Sequence, residues 1–517
     1  MKAIFKYTLI FLLGCVLLTA CSEDLLETSP STAVATNEMT ESSSKAIAAI
    51  DGMYRFLYRT GYTSGWEHEE FGLSALNLAA DLMGEDHLMA AAGSGWFWYD
   101  YLYGVKADYT NNAGRPYGVW NFFYTLISNA NYVTAAEETM EGDPDDVKYV
   151  VGQAYAIRAF SYFMLAQWYA RTLVGHEDDP CVPIYTEPTT KDTKGKPRET
   201  VATVYKQIDA DIAKAVALLS ATKHARNSKS HLGIAEAYGL KARVAQVEEK
   251  WQDALDAANN AIAEATKEGV TVATVSQFAG LNNVAAPNVM WGVKIIADQS
   301  TNKASFFNHM DAGQPNSYAE RARQQIAKSL YNKMGENDAR RAWWNPADKA
   351  NGKNGYQQEK FKFKNYQTYE GDYIFMRIEE MYLVKAEAEC MLSKDADAQK
   401  TLTDLIKTRD ADYACTKTGT DLNKLTNGIA TNSLREEIIN QRRIELWGEF
   451  GRIFDIRRLH QGFTRSTDDG HPSSAAGETL NKGLSDPEGY KWVMTIPQSE
   501  FDGNANMDDS KDQNPFD

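Results

Sequence analysis

Cysteine is scarce in this 517-residue chain, and basic charge is outnumbered: 54 Lys and Arg stand against 70 Asp and Glu. Three of the five cysteines lie beyond residue 21, at Cys181, Cys390 and Cys415, odd in number and far apart. That spacing is neither a disulfide framework nor a zinc pattern; one pair at most can form, and buried packing thiols are expected. The formal net charge of −16 argues against nucleic acid as a partner, because phosphate contacts need a basic face. It argues equally against polybasic attachment to a membrane surface. After residue 20 no apolar stretch is long enough to span a bilayer. Catalytic signatures are missing too: there is no P-loop, no dinucleotide glycine pattern, no G-x-S-x-G and no H-E-x-x-H. No cofactor is expected, and no metal site. Glu67-His68-Glu69-Glu70 and Glu85-Asp86-His87 carry ligand-type side chains, but neighbours on an extended chain point in opposite directions and form no pocket alone.

The first residues carry an address. Lys2 and Lys6 form a positive n-region, Tyr7 to Leu18 is almost wholly apolar, and Leu18-Thr19-Ala20-Cys21 closes the segment. The run is short for a membrane-spanning helix and has the parts of a signal peptide. The closing tetrapeptide resembles a bacterial lipobox, which implies cleavage after residue 20 and an acylated, palmitate-type anchor on Cys21. Stable anchoring takes two or more chains, and such a lipidated cysteine supplies them. Residues 21–44, rich in Ser, Thr and Glu, read as a flexible leader, and 45–517 as a single domain.

Helical periodicity appears in pairs: Val119–Glu138 with Val147–Ala170, Thr200–Leu219 with Leu232–Ala265, Ile378–Leu392 with Ala396–Arg409, and a last segment Ser433–Leu459. Small residues recur at Ala235, Gly239, Ala242 and Ala245, then at Ala254, Ala258, Ala261 and Ala265 beyond a short turn. This is a weakened tetratricopeptide pattern. The expected fold is mainly α: tetratricopeptide-like helix pairs forming a scaffold, with long inserted loops and little β structure. Two long non-periodic regions, near 61–115 and 282–373, interrupt the pairs, and loops of that length are usually functional.

Aromatic residues concentrate in the first of these regions, as Trp66 and then Gly95-Trp96-Phe97-Trp98-Tyr99-Asp100-Tyr101-Leu102-Tyr103. A large apolar ring with a polar handle suits capture of a sugar, which offers a C–H face and a rim of hydroxyls. Were 96–103 a strand, Trp96 and Trp98 would share one face and Tyr99 and Tyr101 the other, one set facing the core. Asn111 and Arg115, with Asp81 and Asp86 behind them, are the expected hydroxyl partners. Trp120 and Trp168 lie on predicted core helices.

Three segments resemble one family. Arg377-Ile378-Glu379-Glu380-Met381-Tyr382-Leu383-Val384-Lys385-Ala386-Glu387-Ala388 is similar to R-x-x-E-M-Y-L-x-x-A-E-A. Gln441 to Arg458 is similar to E-R-x-x-E-L-x-x-E-G-x-R-x-x-D-x-x-R, with Gln441 in place of Glu and Phe450 interrupting the E-G pair. Ile496-Pro497-Gln498-Ser499-Glu500 followed by Gln513-Asn514-Pro515 resembles I-P-x-x-E…Q-N-P. These are marks of the RagB/SusD family of nutrient-binding lipoproteins. The resemblance implies no enzyme. It implies a cell-surface binder on the outer membrane that captures an oligosaccharide and passes it to a SusC-like, TonB-dependent barrel, for which it serves as lid. The Ser22-Glu23-Asp24 cluster after Cys21 resembles the family's signal for export to the outer leaflet. A second ligand region is implied past the tetratricopeptide core, here Phe306, Phe307, His309, Tyr318, Trp343 and Trp344. A peptide or glycopeptide ligand, a surface glycoside hydrolase with two carboxylates about 5–9.5 Å apart, and a purely structural scaffold are the competing readings. Glu445, Glu449, Arg452 and Asp455, three or four residues apart, are expected to form a ladder of ion pairs along one helix face that fixes how the last helices dock.

Overall fold

The computed structural model describes residues 38–63, 67–104, 110–190, 192–301, 303–347 and 355–516. Cys21 and Trp66 lie outside them. The helices that organise the chain are α1 (Ser43–Phe56), α2 (Leu73–Leu82), α3 (Trp98–Leu102), α4 (Gly114–Ala135), α5 (Pro144–Tyr169), α6 (Val201–Ala221), α7 (Ile234–Val247), α8 (Trp251–Lys267), α9 (Phe306–Met310), α10 (Tyr318–Arg321), α11 (Ile378–Met391), α12 (Asp395–Ile406), α13 (Leu434–Glu445) and α14 (Arg452–Arg458).

Local chemistry starts these helices where it should. Asp143 caps α5 by accepting the Asp145 N–H, with Pro144 in the first turn, where its missing donor is not needed. Thr200 caps α6 and Ser433 caps α13 in the same way. On α8 the buried face is Ala254, Leu255, Ala257, Ala258, Ala261 and Ala265, while Gln252, Asp253 and Asp256 face water. The helices then stack in chain order: α4 on α5, α5 on α6, α7 on α8, α8 on α11, and α11 on α12 and α13. The fold is mainly α, as expected, and one contiguous apolar core runs from Ala46 to Met507.

Close approach is what the small residues provide. A Cβ built on Gly239 would sit 2.5 Å from Met376 Sδ and 2.9 Å from its Cε. The atoms it meets are the far end of a flexible methionine, and alanine has the better helix propensity, so Gly239→Ala is expected to leave stability within about 1 kcal/mol of wild type. A denaturation midpoint lowered by more than that would show that Met376 cannot give way.

Among the described residues six short strands accompany the helices: β1 (His87–Met89), β2 (Val289–Val293), β3 (Gln324–Ile326), β4 (Trp344–Asn345), β5 (Gln357–Gln358) and β6 (Tyr373–Arg377). β1, β3, β5 and β4 form one antiparallel sheet in that order, and β2 pairs with β6 in another. In the first sheet Met89 opposes Gln324 and His87 opposes Ile326. The chain leaving β1 and the chain entering β3 therefore emerge at the same edge, which joins the two long irregular regions.

Several sequence-based expectations change. Residues 98–102 form one helical turn, not a strand, because Phe97 and Tyr103 on either side adopt left-handed backbone (φ 58° and 54°). Residues 433–459 are two helices, broken where Gly448 and Gly451 take φ of 78° and 97°. The acidic and basic residues there make few pairs along one face. Glu445 instead accepts from Arg409, Arg377 and Arg340, and Glu449 from Arg377 and Lys360. Arg452 reaches Glu85, and Asp455 binds Arg442 and Arg458. The helix-docking role holds, but for Glu445, Glu449 and Arg452 the partners come from other elements, and only Asp455 pairs within its own helix, with Arg458. α2 was hidden in the first irregular region because all ten of its residues are buried, which leaves no amphipathic period to read. Cys181, Cys390 and Cys415 are free and buried.

This network sets an acid limit. Burial alone would raise the carboxyls of Glu85, Glu387, Glu445, Glu449 and Asp455, but the facing guanidinium groups more than reverse it. Arg452 and Arg443 hold Glu85 at about 2. A carboxyl depressed in the folded state stabilises fully above its unfolded pKa of about 4.3 and loses that contribution as pH falls toward the folded value. Burial raises Glu236 and Glu248 to about 7; their opposite contribution changes between that value and about 4.3 and does not offset the loss below it. The melting temperature is expected to fall steadily from about pH 4.5 to pH 2.5. A flat profile over that range in a thermal-melt series would contradict the assignment.

Candidate functional site

The aromatic segment is fixed from below by Phe97. Its ring is buried against Phe71 and edge-on to His309 (centroids 4.9 Å), with the Arg115 guanidinium 5.0 Å above it. Its N–H donates to Glu69 Oε1 at 2.8 Å. Arg115, in the first turn of α4, grips both sides of the segment: Nε and Nη2 donate to Asp100 at 2.7 and 3.0 Å, and Nη2 donates to Glu69 at 2.9 Å. Burial pushes the Glu69 carboxyl up to about 7, with Arg115 opposing the rise. With Phe97 held down in left-handed backbone, its neighbours Trp96 and Trp98 are left half-buried, and Tyr99 is 59% exposed.

From the other side of the sheet edge comes Tyr318. Ser317 caps α10, and Asn308 Oδ1 accepts the Tyr318 N–H at 2.9 Å, so α9 fixes where α10 begins. The two regions meet through His68. Its ring stacks on Trp96 (centroids 4.9 Å, 18° between planes), and its Nδ1 is hydrogen-bonded to the Tyr318 hydroxyl at 2.8 Å. Tyr318 stands edge-on to both rings, 5.8 Å from His68 and 6.4 Å from Trp96. Lys303 Nζ lies 5.1 Å over the Tyr318 ring. Beneath them, burial pulls His309 down to about 3, so it is neutral, and its Nε2–H donates to the His68 carbonyl at 2.8 Å. The result is a half-exposed aromatic ledge of Trp96, His68 and Tyr318, with a fixed hydrogen-bond pattern underneath. Such a surface stacks against an apolar face and offers polar atoms at its rim.

Of the expected ligand residues, the structure brings Trp96 and Tyr318 together and leaves Trp98 and Tyr99 on the neighbouring turn. Others are corrected. Tyr101 is fully buried, its hydroxyl bonded to His471 and its ring under Arg465. Phe306 and Phe307 are buried against Phe361 and Tyr373, as rings with no polar handle favour. Arg115 is consumed by its two carboxylates. Asp81 is buried against His87, and Asp86 against Arg443. His309, Trp343 and Trp344 are buried too, as are Trp120 and Trp168, which were expected in the core. Asn111 lies elsewhere, at the start of α4, bonded to Gln498. His68 was missed: among three glutamates it reads as surface charge, and only the fold sets its ring on Trp96.

Comparison with known proteins bears on this ledge and on the scaffold beneath it. Residues 87–245 match a family model described as "Starch-binding associating with outer membrane", and residues 285–516 match the SusD family. The chain belongs to the SusD/RagB family. None of the curated proteins matches it. Among solved structures, a SusD-like carbohydrate binding protein from Bacteroides vulgatus is 24% identical, with 92% of this chain and 98% of that one covered at a TM-score of 0.75. A SusD superfamily protein from Bacteroides thetaiotaomicron is 20% identical (92% and 100% covered, TM-score 0.73). Surface glycan-binding protein A from Bacteroides fluxus is 16% identical (91% and 99%, TM-score 0.64).

The SusD motifs prove to be scaffold. In the first, Arg377 binds Glu445 and Glu449, Glu380 binds Arg243 of α7, and Glu387 binds Arg458 of α14. In the last, Gln513 accepts the Ile496 N–H at 2.7 Å, and Asn514 donates to the Tyr169 and Met494 carbonyls. In this chain the motif residues pack the scaffold, and the Trp96–His68–Tyr318 ledge lies outside them.

Proposed function

We propose that this protein is a lipid-anchored binder of oligosaccharides on the outer face of the outer membrane. In this reading it captures glycan on the Trp96–His68–Tyr318 ledge and passes it, as a lid, to a SusC-like TonB-dependent barrel. The observation that carries the reading is the half-exposed stack of His68 on Trp96, edged by Tyr318 at 6.4 Å or less. Three rings fixed from below and open above suit a sugar's C–H face. The carbohydrate-binding descriptions of the relatives and the outer-membrane description of the matched family support it.

The reading is of binding rather than cleavage, and the same surface supports it. Two carboxylates beside the aromatic segment, Glu69 and Asp100, are both held by Arg115, unlike the two free carboxylates that a glycosidase sets across its scissile bond. A glycan array followed by calorimetry and product analysis on the lipid-free chain tests this. Binding without product is expected; release of shorter sugars would overturn the non-catalytic reading. Labelled palmitate incorporation, abolished by Cys21→Ser, tests the anchor. Co-purification with a barrel transporter tests the partner.

A further inference from the structure

A second cavity, sharing no residue with the ledge, opens where the first turn of α4 meets the C-terminal segment. It has a volume of about 280 Å³ and is lined by Thr63, Asn111, Asn112, Tyr117, Gln498 and Ser499, among others. That lies near the lower end of the roughly 300–1,000 Å³ usual for small-molecule sites. Two other cavities, beside Arg442 and beside Phe307, measure about 20 Å³ each, room for a single water.

Among the described residues the lining mixes polar and apolar groups and carries no charged side chain, and much of its polar part is already oriented. Asn112 Nδ2 donates to Asn111 Oδ1 at 3.2 Å, Asn111 Nδ2 to Gln498 Oε1 at 2.5 Å, and Gln498 Nε2 to Asp502 Oδ1 at 2.9 Å. The Gln498 N–H also donates to the Asn111 carbonyl at 2.7 Å. This relay locks the amides before any ligand arrives, which reduces the ordering cost of binding. Beside it stands Tyr117, 41% exposed, with no protein partner for its hydroxyl among the described residues. An anion is disfavoured although a helix begins here, because Asp509 approaches Asn111 at 3.4 Å and Asp502 holds Gln498. A ring to stack on, with amides and hydroxyls around it, describes a site for an uncharged, hydroxyl-rich ring.

We infer that this cavity is a second carbohydrate site, sized for one pyranose unit, with Tyr117 as its platform and the Asn111–Asn112–Gln498 relay as its hydroxyl partners. The inference rests on the reading of the protein as a glycan binder but not on the ledge. Saturation-transfer NMR on the full lipid-free chain, with methyl glucoside, galactoside, mannoside and xyloside as probes at millimolar concentration, tests it. At least one probe is expected to give a signal that survives Trp96→Ala and falls at least fivefold in Tyr117→Ala. Asn112→Leu changes an exposed rim residue only and is expected to act in the same direction, which guards against misfolding of the first variant. No signal with any probe, or a signal unchanged by both rim variants, overturns the second site. A signal abolished by Trp96→Ala overturns it as well, by placing all sugar binding on the ledge. Failure of the ledge reads differently, as oligosaccharide affinity unmoved by Trp96→Ala, so the two proposals fail separately.

Discussion

Trp96→Ala is expected to weaken binding of the oligosaccharide selected on the array by about 2–3 kcal/mol, or roughly 30- to 150-fold. The size follows from the ring's position. Trp96 carries the His68 stack and faces the Tyr318 edge, so its removal takes away one platform and frees a second. Being only half-buried, it contributes little to the core, and the melting temperature should move by far less than the affinity does. Trp120→Ala is the contrasting variant. Trp120 is 6% exposed and packs edge-on against Tyr169 at 4.9 Å, so its loss should cost about 3–5 kcal/mol of stability while leaving ligand affinity in the folded fraction intact. Calorimetric titration and thermal melts of both variants separate the two roles. Equal affinity in Trp96→Ala and wild type would sink the ledge as a ligand surface.

Glu445→Ala is expected to be the most damaging single change away from the site. The side chain is fully buried and meets Arg409 at 2.8 Å, Arg377 at 3.1 Å and Arg340 at 3.3 Å. Its removal leaves three buried guanidinium groups short of a carboxylate, and breaking even one buried pair costs about 3–5 kcal/mol. Set against a total stability of about 5–15 kcal/mol, that is enough to cut the yield of folded protein sharply. Glu445→Gln keeps two polar atoms in place and should fall between the alanine variant and wild type. Denaturant midpoints measure the order. An alanine variant as stable as wild type would mean that the network is dispensable.

The sequence was most legible where structure is periodic. The helix pairs of α4 with α5, α7 with α8 and α11 with α12 announce themselves through small and apolar residues at helical spacing, and their observed limits fall within a few residues of expectation at most ends. It was least legible where burial is uniform or backbone is special. α2 gave no period, because water touches none of its faces. The turn around Phe97 could not be told from a strand, because four consecutive aromatics at 96–99 carry no helical period. For the proposed ligand surface, composition pointed to one segment but could not sort its buried rings from its half-exposed ones. Trp96 and Tyr101 are alike on paper; Arg115 gripping Asp100 decides which one turns outward. His68 joins Trp96 to Tyr318 only because β1 pairs with β3, a contact between residues more than two hundred positions apart.

Asp86 binds Arg443, and Glu85 binds Arg452, across more than 350 intervening residues; Asn514 closes onto Tyr169 from almost as far. A chain released from its amino end therefore spends most of its emergence with buried-type charges that have nothing to meet. Contacts of such high order slow folding and expose intermediates, so commitment to the native state waits for the last seventy or so residues. Chains truncated before α13 should be protease-sensitive however complete their earlier helices are, and any machinery that conveys this protein outward would handle it as an unfolded thread.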